Sequence, residues 1–262
     1  MSRGKHQPFA KKSLGQNFLV DTNYIRKIIA ATAPQQRDTI IEIGPGRGAI
    51  TELLVESGAE IIAIELDREL APQLAARFHV ARNFHVIEAD ATQIDFDELT
   101  TKTSQVKLVA NLPYYISTAI LQHLAAHREH FISLVLMFQK EVVDRISAPP
   151  ADSERGFITV LTELAFSVER LFDVPPNAFR PVPKVTSTVA RLTPKPKTDI
   201  DETHFRELVS TAFSQKRKTI LNNLKSKYPD AREKLERSGI DPSRRAESLA
   251  LDEWIALLRS LE

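Results

Sequence analysis

The stretch of this sequence that most clearly suggests chemistry is Asn111-Leu112-Pro113-Tyr114, which directly follows the apolar run 108–110. The exocyclic amine of adenine is a poor nucleophile, because its lone pair is delocalised into the ring. Two acceptors that hold its hydrogens can stabilise a more tetrahedral nitrogen. The Asn111 side-chain oxygen is one acceptor, and the Leu112 carbonyl, biased away from helical geometry by Pro113, is the other. Tyr114 offers a ring for base stacking, so the four residues indicate a site that binds a base and activates its amine.

A second pattern lies at Gly44 and Gly46, directly after the β-branched run 39–43. Glycines let the backbone turn sharply and approach a ligand where the next helix begins. Glu65 follows about 20 residues later, where a carboxylate can bind ribose hydroxyls, and Asp90 ends the next run, where it can accept from an adenine amine. Each acid alone could equally be a helix cap or a surface residue. Together they predict an adenosine-bearing cofactor, either S-adenosylmethionine or NAD.

These residues need a sheet whose strand ends meet at one edge. β-branched runs alternate with amphipathic stretches, which predicts an α/β fold, a doubly wound Rossmann-like sheet with ligands at the strand carboxyl ends. The expected parallel strands are 39–44, 60–66, 84–90, 107–111 and 133–138, with helices over 50–57, 69–78 and 118–126. Two further strand-like runs, 166–172 and 186–192, flank a stiff loop with four prolines.

The later part of the chain has a different pattern. Residues 193–201 are typical of a linker, and beyond them helical spacing continues without a strand signal. We therefore expect a cofactor-binding catalytic domain over 1–192, which includes a basic segment at 1–27, and a small helical domain over 193–262. Trp254, at helical spacing, is expected in the core of the helical domain.

The composition excludes several classes of function. The chain has 262 residues and no cysteine, so disulfides, thiolate zinc sites and thiol nucleophiles are absent. No run approaches the roughly 18 apolar residues that a membrane helix needs, and no apolar leader is evident. We expect a cytoplasmic protein without a membrane partner. His123 and His127 are spaced as a metal pair could be, but no third ligand is evident; we predict an exposed polar helix face and no metal.

The net charge of +1 conceals an asymmetry. Residues 1–27 carry six Lys or Arg and one acid, and residues 188–262 carry fifteen Lys or Arg and twelve acids, so the middle is acidic. Basic ends suggest contacts with the phosphates of a polyanion, although terminal charge that only increases solubility is the alternative. The candidate contacts are Lys11, Lys12, Lys216, Arg217 and Lys218.

Several segments resemble, in the same order, the small-subunit ribosomal RNA adenine N6,N6-dimethyltransferases of the KsgA type, which use S-adenosylmethionine. They are "KKSLGQNFLVD" (11–21), "EIGPGRGAIT" (42–51), "ANLPYYIST" (110–118), "FRPVPKVTS" (179–187), "AFSQKRKTILNNL" (212–224) and "GIDPSRRAESL" (239–249). The resemblance implies that Asn17 and Leu19 cover the cofactor and that Gly44 and Gly46 line its methionine part. It also implies that Phe179 is a second ring that sandwiches the base against Tyr114.

The resemblance further implies that the helical domain over 193–262 is an RNA-binding domain, and it implies a substrate. This would be two adjacent adenosines in a hairpin loop near the 3′ end of small-subunit rRNA, each dimethylated by a monomeric enzyme acting on the small ribosomal subunit or its precursor. The family often has Asp where this chain has Thr186, which lacks the carboxylate that would fix the loop.

Three alternatives remain open from the sequence. Large-subunit adenine methyltransferases of the macrolide-resistance type share the N-terminal motifs, although the "GIDPSRRAESL" segment favours the small-subunit branch. A ribosome-assembly factor with secondary catalysis would share both domains. An NAD-dependent reductase would explain the glycine loop but would not explain the Asn-Leu-Pro-Tyr motif at 111–114.

Overall fold

The computed structural model describes residues 15–100 and 106–261. Its strands are β1 (Phe18–Leu19), β2 (Thr39–Ile43), β3 (Glu60–Glu65), β4 (Phe84–Glu88), β5 (Val106–Asn111), β6 (Phe131–Gln139), β7 (Phe166–Val174), β8 (Phe179–Arg180) and β9 (Ser187–Pro194). Seven of these form one sheet in the order β4-β3-β2-β5-β6-β9-β7, and β1 pairs with β8 in a separate two-stranded sheet.

The sheet confirms the predicted doubly wound fold. From β4 through β3, β2 and β5 to β6, each strand runs parallel to its neighbour, as near-continuous apolar runs predict. β9 is antiparallel to β6. The order of the strands reverses between β2 and β5, which creates the crevice where ligands bind in open α/β sheets.

The helices are α1 (Thr22–Thr32), α2 (Ala49–Glu56), α3 (Leu70–Arg77), α4 (Phe96–Thr100), α5 (Ser117–Ala126), α6 (Lys140–Ile146), α7 (Phe157–Ala165), α8 (Glu202–Ala212), α9 (Ile220–Leu224), α10 (Ala231–Arg237) and α11 (Leu251–Leu261). α1 begins at Asp21, whose side chain accepts from the Asn23 amide. None of the helices in the described part of the chain is long and apolar enough to cross a bilayer.

The described residues divide into two compact units. Residues of 1–143 and 168–194 form the sheet unit, and residues of 144–167 and 195–262 form the helical unit. This division differs from the predicted boundary after residue 192, because α7 belongs with the C-terminal helices. Its Val160 and Leu164 share a hydrophobic core with Phe205 of α8 and Trp254 of α11. The predicted burial of Trp254 is confirmed: it is 0% exposed.

Candidate active site

A cleft lies at the carboxyl ends of β2, β3 and β5, where the strand order reverses. Its lining residues are Gly15, Gln16, Asn17, Phe18, Gly44, Gly46, Glu65, Asn111, Leu112, Pro113 and Tyr114. The structure therefore brings together most of the residues that the sequence predicts for the cofactor and the base. Sequence reasoning missed Gly15, Gln16 and Phe18, although they flank Asn17 in the same motif.

The loop after β2 is shaped by its glycines. Gly46 has a φ of +59°, and a Cβ built there would lie 3.0 Å from Cδ1 of Phe18. The Gly46 amide donates to Oε2 of Glu65 at 3.0 Å. The Asp67 amide donates to Oε1 of the same carboxylate at 2.9 Å. Glu65 thus links the glycine loop to the end of β3.

Glu65 is 6% exposed and lines the cleft. Burial raises the pKa of its carboxyl group, while the backbone donors from Asp67 and Gly46 lower it. Further donors from a ligand in the cleft, such as hydroxyl groups, would stabilise the ionised form. The geometry therefore fits the predicted ribose contact.

Glu42 is a buried acid in β2, close enough to Glu65 for the two carboxyl groups to interact, and the sequence did not point to it as a site residue. Its side chain accepts from Thr51 Oγ1 at 2.6 Å, and burial raises its pKa to about 8. Glu42 is therefore protonated at neutral pH. The signal in the sequence was a single acid within the apolar strand 39–43.

Asn111 is held by the backbone of the N-terminal segment. Its Nδ2 donates to the Asn17 carbonyl at 3.1 Å. Because only the NH₂ end of an amide can donate, this contact assigns the orientation of the side chain. The Oδ1 atom has no hydrogen bond with any residue of the described ranges, and neither does the Leu112 carbonyl. Two acceptors without partners among those residues thus lie at the end of β5.

Tyr114 is positioned by a hydroxyl at the start of β9, two strands away from β5 in the same sheet. Its hydroxyl lies 2.8 Å from Oγ of Ser187, the first residue of β9. Burial raises the pKa of the Tyr114 phenol, so the phenol stays neutral. The contact with Ser187 holds the far end of the ring. Ser187, and not the neighbouring Thr186, makes this contact.

Leu19 and Phe179, to which the resemblance gives roles at the cofactor and the target base, are not among the residues that line the cleft. They pair directly in the antiparallel β1–β8 ribbon, and their side chains lie in the hydrophobic core at 4% and 0% exposure. Side chains alternate along a strand, so Phe18 faces the cleft when Leu19 faces the core. For the same reason Arg180 is exposed when Phe179 is buried. The predicted roles of Leu19 as a cofactor cover and Phe179 as a stacking ring stay predictions.

Asp90 lies beyond β4 and outside the set of residues that line the cleft. Its Oδ1 accepts from the amide and the hydroxyl of Thr92, at 2.9 and 2.8 Å. Its predicted contact with adenine remains a prediction. The same holds for the predicted RNA contacts.

Lys216, Arg217 and Lys218 are exposed in the loop between α8 and α9, where Lys216 Nζ donates to the Ser153 carbonyl at 2.7 Å. Lys11 and Lys12 lie outside the described residues.

The histidine pair is less exposed than predicted. His123 Nε2 lies 2.8 Å from the Ile94 carbonyl, and its ring packs on Phe96 at 5.3 Å between centroids. His127 packs against the same phenylalanine. Within the described ranges, no three His, Cys, Asp or Glu side chains are grouped as metal ligands would be.

Comparison with known proteins places this architecture in a family. The family model described as "Ribosomal RNA adenine dimethylase" matches residues 9–262. The chain belongs to the ribosomal RNA adenine dimethylase family. The predicted enzyme class, an S-adenosylmethionine-dependent rRNA adenine dimethyltransferase, is confirmed by this membership. An NAD-dependent reductase is therefore the wrong alternative.

Two curated relatives and two solved structures are similar to most of this chain. "Ribosomal RNA small subunit methyltransferase A" of Saccharophagus degradans is 43% identical to this dimethylase over 96% of the chain and 94% of the relative. The protein of that name from Clostridium botulinum is 41% identical over 93% and 90%. A dimethyladenosine transferase from Plasmodium falciparum superimposes with a TM-score of 0.78 at 28% identity, covering 92% and 96% of the two chains. The 23S rRNA methyltransferase ErmE, at 24% identity and a TM-score of 0.69, covers 94% and 99% and shares the fold.

Proposed function

We propose that this dimethylase transfers methyl groups to N6 of two adjacent adenosines in a hairpin loop near the 3′ end of small-subunit rRNA. The relatives above 40% identity are named as small-subunit rRNA methyltransferases, which supports this branch over the large-subunit one. The observation that carries the proposal is the orientation of Asn111. Its Nδ2 contact with the Asn17 carbonyl leaves Oδ1 facing the cleft as an acceptor.

The cleft fits S-adenosylmethionine. Gly44 and Gly46 provide backbone without side chains beside the strand ends, and Glu65 offers a buried carboxylate to ribose hydroxyls. Asp90, whose Oδ2 has no hydrogen bond with the described residues, would accept from the adenine amine. Asn17 covers the cleft from the N-terminal segment. When bound, S-adenosylmethionine supplies an electrophilic methyl group.

The end of β5 would activate the target amine. The Asn111 Oδ1 and the Leu112 carbonyl each accept one N6 hydrogen, which favours a tetrahedral nitrogen with an available lone pair. Tyr114, fixed through Ser187, supports the base by stacking, a contact worth ~1–3 kcal/mol. No strong base is required, since the proton can leave to solvent after transfer.

The second methylation places a constraint on these residues. An N6-methyl adenine offers only one hydrogen, so one of the two acceptors loses its partner. The pocket must also accommodate the first methyl group. Tyr114 is held at its hydroxyl, and the stacking surface is therefore preserved while the base shifts.

The proposed context is the small ribosomal subunit or its precursor, in the cytoplasm, with the enzyme acting as a monomer. A loop base is a favourable target, because extracting a paired base costs a few kcal/mol that an unpaired base does not. The exposed Lys216, Arg217 and Lys218 of the helical unit, together with Lys11 and Lys12, would contact RNA phosphates.

The test is direct methylation with a labelled cofactor. The purified enzyme is incubated with methyl-labelled S-adenosylmethionine and unmethylated small subunits, and the rRNA is digested to nucleosides. We expect N6,N6-dimethyladenosine at two adjacent positions near the 3′ end. Label confined to large-subunit rRNA in a parallel reaction would contradict the proposal.

A further inference from the structure

A second cavity, of about 420 Å³, adjoins the cofactor cleft and shares Phe18 with it. Its walls come from the β1 segment and from the facing helices α1 and α2. Apolar side chains, including Ile25 and Leu53, line part of it. A cavity of this size lies within the roughly 300–1,000 Å³ that small-molecule sites occupy. It is larger than a single phosphate requires.

Three arginines surround this cavity, which we name the arginine cavity. They are Arg26, Arg47 and Arg77, and the only acid that lines the cavity in the described part of the chain is Glu52. Arg77 pairs with Glu52 at 2.8 Å and donates to the Arg47 carbonyl at 2.6 Å. The Arg47 guanidinium lies over the Phe18 ring, 4.5 Å from its centroid. The charges therefore sum to an excess of two positive charges.

Arg26 is the most available of the three. It is exposed on α1, and its side chain has no hydrogen bond or ion pair with the described residues. Cations gathered around an apolar wall repel one another, so the arrangement favours an anionic ligand that also has a flat, apolar part. A guanidinium binds phosphate through two parallel N–H donors, and Phe18, Ile25 and Leu53 offer contact to a base.

We infer that the arginine cavity binds a nucleotide of the RNA substrate other than the target adenosine. Its phosphate lies at Arg26 and Arg77, and its base lies against the apolar wall. Single-stranded RNA presents such unstacked bases in loops. The inference rests on the proposed function, because it requires an RNA substrate. A strand anchored beside the glycine loop is held in register while its neighbour enters the cleft.

The test compares Arg26→Gln with Lys27→Gln. Lys27 is the adjacent, exposed cation on α1, but it lies over the Tyr24 and Phe172 rings and does not line the cavity. Affinity for unmethylated small subunits is measured against salt concentration at fixed magnesium, with S-adenosylhomocysteine present. We expect Arg26→Gln to weaken binding about tenfold and to reduce the salt slope by about 1. Lys27→Gln should change affinity by less than about twofold.

A third variant should change the affinity for small subunits in the opposite direction. Glu52→Gln removes the acid and leaves Arg77 without its ion-pair partner, so binding should tighten by about threefold or more. Equal losses in the Arg26 and Lys27 variants, or no gain in the Glu52 variant, would overturn the inference. If the unmutated enzyme failed to bind small subunits, the proposed function would fail. If it bound them but the variants did not change affinity as expected, only the present inference would fail, so the two failures are distinguishable.

Crosslinking identifies the occupant. The chain contains no cysteine, so Arg26→Cys and Lys27→Cys each introduce a single thiol for a benzophenone label. After irradiation with small subunits, the label at position 26 should attach to rRNA, with a higher yield than the label at position 27. Attachment mainly to a ribosomal protein, or equal yields from both positions, would refute an RNA nucleotide in the cavity.

Discussion

The Asn111 amide has two ends with opposite hydrogen-bonding properties, and the Asn17 carbonyl determines which end faces the cleft. Reversal of the amide would place a carbonyl against a carbonyl and remove the 3.1 Å hydrogen bond. The side chain is therefore held as an acceptor before any substrate binds. This preorganisation is the condition under which a single hydrogen bond has a large effect on rate.

Replacing Asn111 with alanine tests that role. We expect Asn111→Ala to reduce methyl transfer by ~10²–10³-fold, the loss typical of removing one such hydrogen bond, while subunit binding persists. Rate and affinity are measured separately, by single-turnover methylation and by equilibrium binding. Asn222→Ala, at an exposed asparagine of α9, serves as the control. Activity of Asn111→Ala near the unmutated level would contradict the role of the amide.

Glu42 makes the stability of the fold depend on pH. Its folded pKa of about 8 lies above its ordinary value of 4.5, so the folded state retains a proton that the unfolded chain releases. Its stabilising contribution is complete below about pH 4.5 and is lost as pH rises towards 8. Between those pH values, the loss of this contribution lowers the free energy of unfolding by about 1.4 kcal/mol for each unit by which the pH rises.

Glu42→Gln removes this titration but keeps an oxygen that accepts from Thr51. We expect the free energy of unfolding of the variant to vary less between pH 5 and pH 8 than that of the unmutated protein. Denaturant titrations at a series of pH values provide the measurement. Parallel curves for the two proteins would show that Glu42 is not protonated in the fold.

At the scale of elements, the glycine loop (residues 44–48) and the N-terminal segment 16–19, which includes β1, form one unit around the cofactor cleft. Phe18 packs on Gly46, while Gln16 Nε2 donates to Asp67 Oδ2 at 2.8 Å. Asn17 is tied to β5 through Asn111. The N-terminal segment is thereby connected to the ends of β2, β3 and β5. A change in how this segment packs on the strand ends should therefore alter cofactor binding.

Gly46→Ala tests this coupling, with Gly239→Ala as a matched control. Both glycines have left-handed φ, at +59° and +73°, but a Cβ at Gly239 meets nothing within 4 Å. Each variant should lose ~1 kcal/mol of stability from backbone strain. Only Gly46→Ala should also weaken cofactor binding, by about tenfold, because its Cβ displaces Phe18. Calorimetry with S-adenosylmethionine measures this, and equal affinities of the two variants would argue against the coupling.

At the scale of the whole molecule, charge is distributed unequally along the chain. The helical unit carries Lys216, Arg217 and Lys218 in one exposed loop, whereas several of its other cations are paired with acids on α10 or directly before it. Paired cations contribute little to the binding of an external anion. The loop is therefore the part of this unit from which we expect phosphate contacts.

Neutralising the three loop residues to Gln should weaken subunit binding and reduce the salt slope by about 1 for each phosphate that they no longer neutralise. The control is Arg232→Gln, Lys234→Gln and Arg237→Gln together. It removes the same charge from α10, where each cation has an acidic partner at i,i±4. If both triple variants shifted the slope equally, net charge rather than the loop would explain the binding.

Much of the fold and of the site follows from local signals. Apolar runs predict the parallel strands, and residues at the ends of such strands must meet at one edge of the sheet. That reasoning brought Gly44, Glu65, Asn111 and Tyr114 together correctly. The helix α7 was not among the predicted helices, and its core partners lie beyond residue 194, because local sequence does not say which unit a helix packs against.

The sequence by itself determined the sheet, the glycine loop and the amide at the end of β5, because each depends on residues that are close together in the sequence. Only the tertiary structure decided that Phe18 faces the cleft while Leu19 and Phe179 are buried, since the β1–β8 register sets that alternation. It also decided the Asn111–Asn17 and Tyr114–Ser187 contacts, across 94 and 73 residues. Such contacts depend on how distant segments pack, which no local pattern specifies.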